Sequence, residues 1–442
     1  MGYGEGFSLK FTPSWIVAVV CTVFVAISLV FERLLHLAGR KLKEKDRKPL
    51  FEALQKIKEE LMLLGFISLL LTVFQYTIVK ICVNESLMEH LLPCSLSDKG
   101  KVEKPKAGYC AKKGKVPILS ISAMHDLHIF IFILAVAHVL FSVITVVFGM
   151  AKIGQWKQWE DDVTKDNFDH SQVLKPKITH VKDQDFIKNR YFGMGKRSTI
   201  RGWLRSFFKQ FKGSVTKSDY VALRLGFITS HCKSNPKFKF HKYMIRALED
   251  DFKTVVGISW YLWLYVVLFL LMNVDGLHLY FYISFIPLIL LLAVGTKLEH
   301  IIIQLAHEVA EKHEAIEGEL VVTPSDDHFW FQRPKVVLVF IQFILFQNAF
   351  EYAFFFWILV KYGFDSCIMG EKGYIITRLV IGVFIQILCS YSTLPLYALV
   401  TQMGTNFKKS IFEDHIQAKV VNWAKQAKKN TPHHDGTNEP AH

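Results

Sequence analysis

Residues 255–294 read VVGISWYLWLYVVLFLLMNVDGLHLYFYISFIPLILLLAV. Two apolar runs, Val255–Met272 and Leu277–Val294, flank Asn273-Val274-Asp275-Gly276. Each run is close to the ~20 residues a helix needs to cross the hydrocarbon core. Asn, Asp and Gly together mark a turn. The stretch is therefore expected to form a tight helical hairpin in a membrane.

Five further runs have the same character: Trp15–Phe31, Leu61–Val83, Leu127–Gly149, Val336–Val360 and Ile375–Val400. The fold class that follows is an all-α membrane protein, a seven-transmembrane helical bundle. Composition agrees, since 51% of the residues are hydrophobic, more than most soluble domains carry. The net charge of +14 is assigned to cytoplasmic loops. Nothing resembles an ordered nucleic-acid-binding fold, so no nucleic-acid partner is expected.

Arg33, Arg40, Lys41, Lys43, Lys45, Arg47 and Lys48 follow the first run, whereas only Lys10 precedes it. Positive charge after the span predicts an uncleaved anchor with its N-terminus outside and, after seven spans, a cytoplasmic C-terminus. The lysines from Lys99 to Lys115 then fall outside, against the rule, in a long loop. Cys82, Cys94, Cys110 and Cys367 all face the oxidising side in this topology, as does the glycosylation sequon at Asn84. Four cysteines allow three pairings, and spacing does not choose among them.

The expected organisation is an extracellular N-terminus (1–14), then spans one to three (15–149) with a cytoplasmic loop at 32–60 and an extracellular cysteine loop at 84–124. A large ordered cytoplasmic segment (150–254) follows. Spans four to seven (255–400) enclose a cytoplasmic loop at 295–335 and an extracellular loop at 361–374. A cytoplasmic helix (401–429) and a disordered tail (430–442) close the chain. The 150–254 segment is rich in aromatics, unlike disordered linkers. Within it, Ser218 is a candidate N-cap, and Arg201–Lys209 has the composition of a helix lying in the membrane interface.

Phe407 to Lys429 reads FKKSIFEDHIQAKVVNWAKQAKK. As a helix it aligns Phe412, Ile416, Val420 and Trp423 on one stripe, with Lys408, Lys409, Lys419, Lys425 and Lys428 around it. A basic amphipathic helix with an aromatic anchor is the shape calmodulin wraps. A helix resting on an anionic leaflet has the same composition.

Charge inside a span costs ~3 kcal/mol or more and needs a reason. Glu351 lies in the sixth span, with Gln347 four residues earlier on the same face and Arg378 entering the seventh. Glu351 and Gln347 are candidates for an ion path. A structural ion pair between Glu351 and Arg378 is the equal alternative. His125, His128 and His138 are the histidines a membrane metal hydrolase would use. No HExxH, Cys-x-x-Cys, P-loop or GxSxG motif occurs, so no enzyme, metal site or cofactor is expected.

The chain resembles the plant Mlo (mildew resistance locus o) family over nearly its whole length. The resemblance rests on LFEALQKIKEELMLLGFISLLL from Leu50, HDLHIFIFILAVAHV from His125, WKQWED from Trp156 and DYVALRLGFI from Asp219. FHKYMIRALEDDFKTVVGISWYLW from Phe240, FWFQRPKVVLVFIQFILFQNAFEYAFFFW from Phe329 and STLPLYALVTQMG from Ser392 complete it. It implies seven spans in the plasma membrane, four extracellular cysteines matching Cys82, Cys94, Cys110 and Cys367, and a calmodulin-binding tail anchored at Trp423. Val420 stands where the family usually has leucine. The resemblance further implies calcium signalling, with calcium acting through calmodulin or as the permeant ion, and roles in powdery mildew susceptibility, defence and development. A non-conducting scaffold or receptor that recruits defence or secretory partners is the alternative; the expected partners are calmodulin, the lipid membrane and further copies of the chain in a homo-oligomer.

Overall fold

The computed structural model describes residues 30, 33–44, 48–84, 109–110, 114–170, 178–180, 199–211, 215–231, 238–272, 282–312, 315–317, 327–363 and 372–402. All of the first apolar run but Val30, together with Cys94, Cys367, the 273–276 turn and the calmodulin-type stripe from Lys408 to Lys428, lies outside these residues. So do most of the extracellular cysteine loop and the 430–442 tail.

The described part is a helical membrane protein. It has six helical stretches long and apolar enough to cross a bilayer: Leu50–Val79, Ile121–Val163, Phe240–Leu270, Phe285–Ala306, Pro334–Tyr362 and Gly373–Thr401. In chain order the helices are α1 (Lys48–Val79), α2 (Ile121–His170), α3 (Thr199–Lys209), α4 (Lys217–His231), α5 (Phe240–Val256) and α6 (Trp260–Met272). They continue with α7 (Phe285–Lys312), α8 (Pro334–Tyr362), α9 (Lys372–Leu388) and α10 (Leu394–Thr401). Two small antiparallel pairs join Cys82–Val83 to Val116–Pro117 and Ile178–His180 to Ala315–Glu317.

Local chemistry sets several helix ends. Ser120 caps α2, its Oγ accepting from the Ala123 amide at 3.1 Å. Pro334 opens α8, where its missing N–H is no loss, and Gly363 closes it at φ 76°, a conformation that suits glycine. The sequence expectation of a cap at Ser218 is corrected. Thr216 Oγ1 accepts from the Asp219 amide at 3.3 Å, and Asp219 Oδ2 accepts from the Thr216 amide at 3.0 Å. This reciprocal pair is a capping box, and Ser218 only bonds the Thr216 hydroxyl. Between α9 and α10 the chain makes a π turn over Cys389–Thr393, with the Leu394 amide bonding the Cys389 carbonyl. Pro395 lies in the next turn, and the wider turn makes room for a ring that would press on an α-helical carbonyl.

Two apolar cores hold the bundle. One surrounds Phe130, Phe269, Phe350 and Phe354, where α2, α6 and α8 meet. The other runs from α8 and α10 into the connecting segment, around Trp156, Tyr220, Phe227, Tyr243 and Phe252. The expected ordered segment therefore shares a core with the spanning helices. Within it Tyr220 donates to Glu160 at 2.9 Å, and Arg224 pairs with the same carboxylate at 2.9 Å. Burial, followed by the Glu160 charge, pushes the Tyr220 hydroxyl up in pKa and keeps it a donor. Met62, Phe66, Leu69 and Val73 of α1 remain exposed, as lipid-facing side chains would be.

At the other end, Cys82 is bonded to Cys110. Asp126 ties α2 to the end of α8, pairing with Lys361 at 2.6 Å and accepting from Tyr362 at 3.2 Å. Asn84 is exposed just after the first short strand.

Candidate functional site: a polar seam in the apolar bundle

Buried polar side chains line up along α8 where it meets α2, α6, α7 and α9. Gln342 and Glu351 bound the row, about 14 Å apart at 1.5 Å per residue.

At the Gln342 end, the apolar run that begins in α5 is interrupted at Gly257-Ile258-Ser259. A backbone break at this depth leaves groups that water does not satisfy. Gln342 Nε2 donates to the Gly257 carbonyl at 2.6 Å. Glu60 of α1 accepts from the Ile258 amide at 3.2 Å. Tyr261 and Ser259 donate to Gln342 Oε1. Two neighbouring helices thus complete the broken one. The sequence reading took Val255–Met272 as one run and did not single out Glu60. The local signals were Gly257 and Ser259 inside the run and a carboxylate beside the next span.

Mid-seam, Asn348 donates to the Gly382 carbonyl at 3.1 Å and to Gln386 Oε1 at 3.3 Å. Gln386 Nε2 in turn donates to Thr145 Oγ1 at 2.9 Å. α8 and α9 approach closely because Gly382 has no side chain. A Cβ there would lie 2.5 Å from the Tyr352 ring and 2.9 Å from Asn348 Oδ1.

At the far end, Glu351 Oε2 lies 3.6 Å from Arg378, and Glu351 Oε1 accepts from Gln347 Nε2 at 2.9 Å. Gln347 also donates to the Ile283 carbonyl at 3.3 Å. Its own Oε1 is buried and accepts no hydrogen bond from the described residues. The structure thus forms the Glu351–Arg378 pair and leaves a free acceptor beside it.

The three histidines of the hydrolase reading do not converge. His128 bonds Ser68 and borders a cavity of ≈ 380 Å³ with His125, Thr72 and Gln75. His138 is buried against Phe346, about 15 Å further along α2. One ion cannot bridge that distance.

The Mlo family model matches residues 6–108 and 97–441. The chain belongs to the Mlo family. It is 62% identical to MLO-like protein 1 of Arabidopsis thaliana over 97% of this chain and 88% of that protein. Against MLO-like protein 15 of Arabidopsis thaliana the identity is 59%, over 96% and 90%. Protein MLO of Hordeum vulgare is 45% identical over 94% of this chain and 78% of its own length. No solved structure matches. In this Mlo protein part of the seam lies in the segments the family resemblance was read from: Glu60 in the first quoted motif and Gln342 to Glu351 in FWFQRPKVVLVFIQFILFQNAFEYAFFFW, whereas Thr145, Arg378, Gly382 and Gln386 lie outside them.

Proposed function

We propose that this Mlo protein is a plasma-membrane calcium-permeable channel, restrained by calmodulin at its C-terminal helix and acting in pathogen defence, powdery mildew susceptibility and development. The observation that carries the conducting part is the buried Gln347 Oε1, an acceptor without a donor among the described residues, beside the Glu351 carboxylate. Buried acceptors are rarely left unpaired. Two hard oxygens at membrane depth replace part of a calcium ion's hydration shell. In this conformation Arg378 holds Glu351, so conduction requires that pair to open.

The tail acts as the sensor. Calcium-loaded calmodulin takes Phe412, Ile416, Val420 and Trp423 into its grooves, with the surrounding lysines meeting its acidic rim. It shifts the gate only by its differential affinity for the two states. In the test, calcium-loaded calmodulin binds full-length protein and loses binding on Trp423→Arg. Undiminished binding by that variant removes the anchor from the account.

A non-conducting scaffold is the second reading. It is favoured by the middle of the seam, where Asn348, Gln386 and Thr145 satisfy one another as helix glue. Calcium flux separates the two.

A further inference from the structure

The buried side of α2 carries a polar row that the seam touches only at one end. His138, Ser142 and Thr145 follow one another at steps of four and three, on one helical face, and are 5%, 7% and 2% exposed. Thr145 is satisfied, donating to the Phe141 carbonyl at 2.8 Å and accepting from Gln386. His138 lies beside the Phe346 ring, at 6.1 Å between centroids. Neither the His138 imidazole nor the Ser142 hydroxyl has a hydrogen-bond partner among the described residues.

All three side chains line one cavity of ≈ 10 Å³ where α2, α5 and α8 meet. Val255 and Val256, in the last turn of α5, close one side, and Leu345, Phe346 and Ala349 of α8 close another. The cavity therefore abuts the point where the spanning run breaks at Gly257, and where Gln342 and Glu60 already supply hydrogen bonds from neighbouring helices.

Size and lining together select the occupant. The volume is close to the ~10–15 Å³ that admits one water, and it excludes an organic ligand. Cavities that stay dry are apolar, whereas this one has two polar side chains that would otherwise be left unpaired inside the bundle. The described residues lining it include no carboxylate, so a cation there would lack a counter-charge. A neutral imidazole offers one donor and one acceptor and a hydroxyl offers both, which a single water can match.

We propose that this cavity is a hydration site. One internal water binds between His138 and Ser142, takes the place of the protein partners they lack, and adds a third polar contact at the break between α5 and α6. The site is separate from Glu351 and Gln347, and the proposal is independent of whether the seam conducts.

Radiolytic hydroxyl labelling of full-length protein in lipid nanodiscs tests it, since radicals made from a bound water mark the side chains around it. Phe346 is expected to be hydroxylated although it is buried. Phe354, equally buried but in the apolar core with Phe130 and Phe269, should stay unmarked. His138→Phe, which fills the cavity, should abolish the mark on Phe346. If that variant fails to fold, as its thermal midpoint reports, Ser142→Val is read in its place, because it removes the hydroxyl and fills its space. No mark on Phe346 in the wild type, or the same mark in a folded variant, overturns the proposal. A wild-type mark that fades as sodium or potassium replaces N-methylglucamine at constant ionic strength shows a cation in the cavity and also overturns it.

Discussion

Glu351 and Gly382 hold the bundle by opposite means, one by a charge and one by the lack of a side chain. Glu351→Gln leaves Arg378 buried without its counter-charge, which costs about 3–5 kcal/mol. The double variant with Arg378→Gln should recover much of that loss. Thermal midpoints of the four proteins in detergent check both statements. Additive losses would show that the pair contributes nothing. Gly382→Ala forces a methyl against Tyr352 and Asn348, and overpacking of this kind costs about 1–3 kcal/mol. An unchanged midpoint would mean that α8 and α9 separate freely. Glu351 and Arg378 stood out in the sequence because charges in apolar runs are rare. Gly382, Thr145 and Glu60 did not, because their meaning depends on partners far away in the chain.

Single elements show why boundaries were less legible than existence. Hydropathy marks where a helix is apolar, not where its hydrogen bonds stop. α2 runs past the expected Gly149 to His170. The interruption at Gly257–Ser259 was hidden for the same reason, since one glycine and one serine barely lower the hydropathy of a long apolar run. The cap of α4 was misplaced by two residues because Ser, Thr and Asp crowd together there. Thr216→Ala removes the acceptor for the Asp219 amide and should destabilise the segment by about 1 kcal/mol. Faster amide exchange at the start of α4 would report it, and the companion Ser218→Ala should have a smaller effect. An equal effect of the two would return the cap to Ser218.

Across the whole molecule, the class of fold was legible because runs of some twenty apolar residues have few other uses. How the runs pack was not, since lipid-facing and protein-facing residues are equally apolar. The described helices join a bundle tied at one end by Cys82–Cys110 and Asp126 to a connecting segment that shares its core at the other. Seam and tail together make the central claim, conduction of calcium under calmodulin control. Calcium flux into liposomes holding the purified protein tests it most directly, with and without calcium-loaded calmodulin. The account predicts flux above that of empty liposomes, altered by calmodulin in the wild type, insensitive to calmodulin in Trp423→Arg, and reduced in Glu351→Gln. A folded protein that binds calmodulin yet passes no calcium would contradict it and leave the scaffold reading in its place.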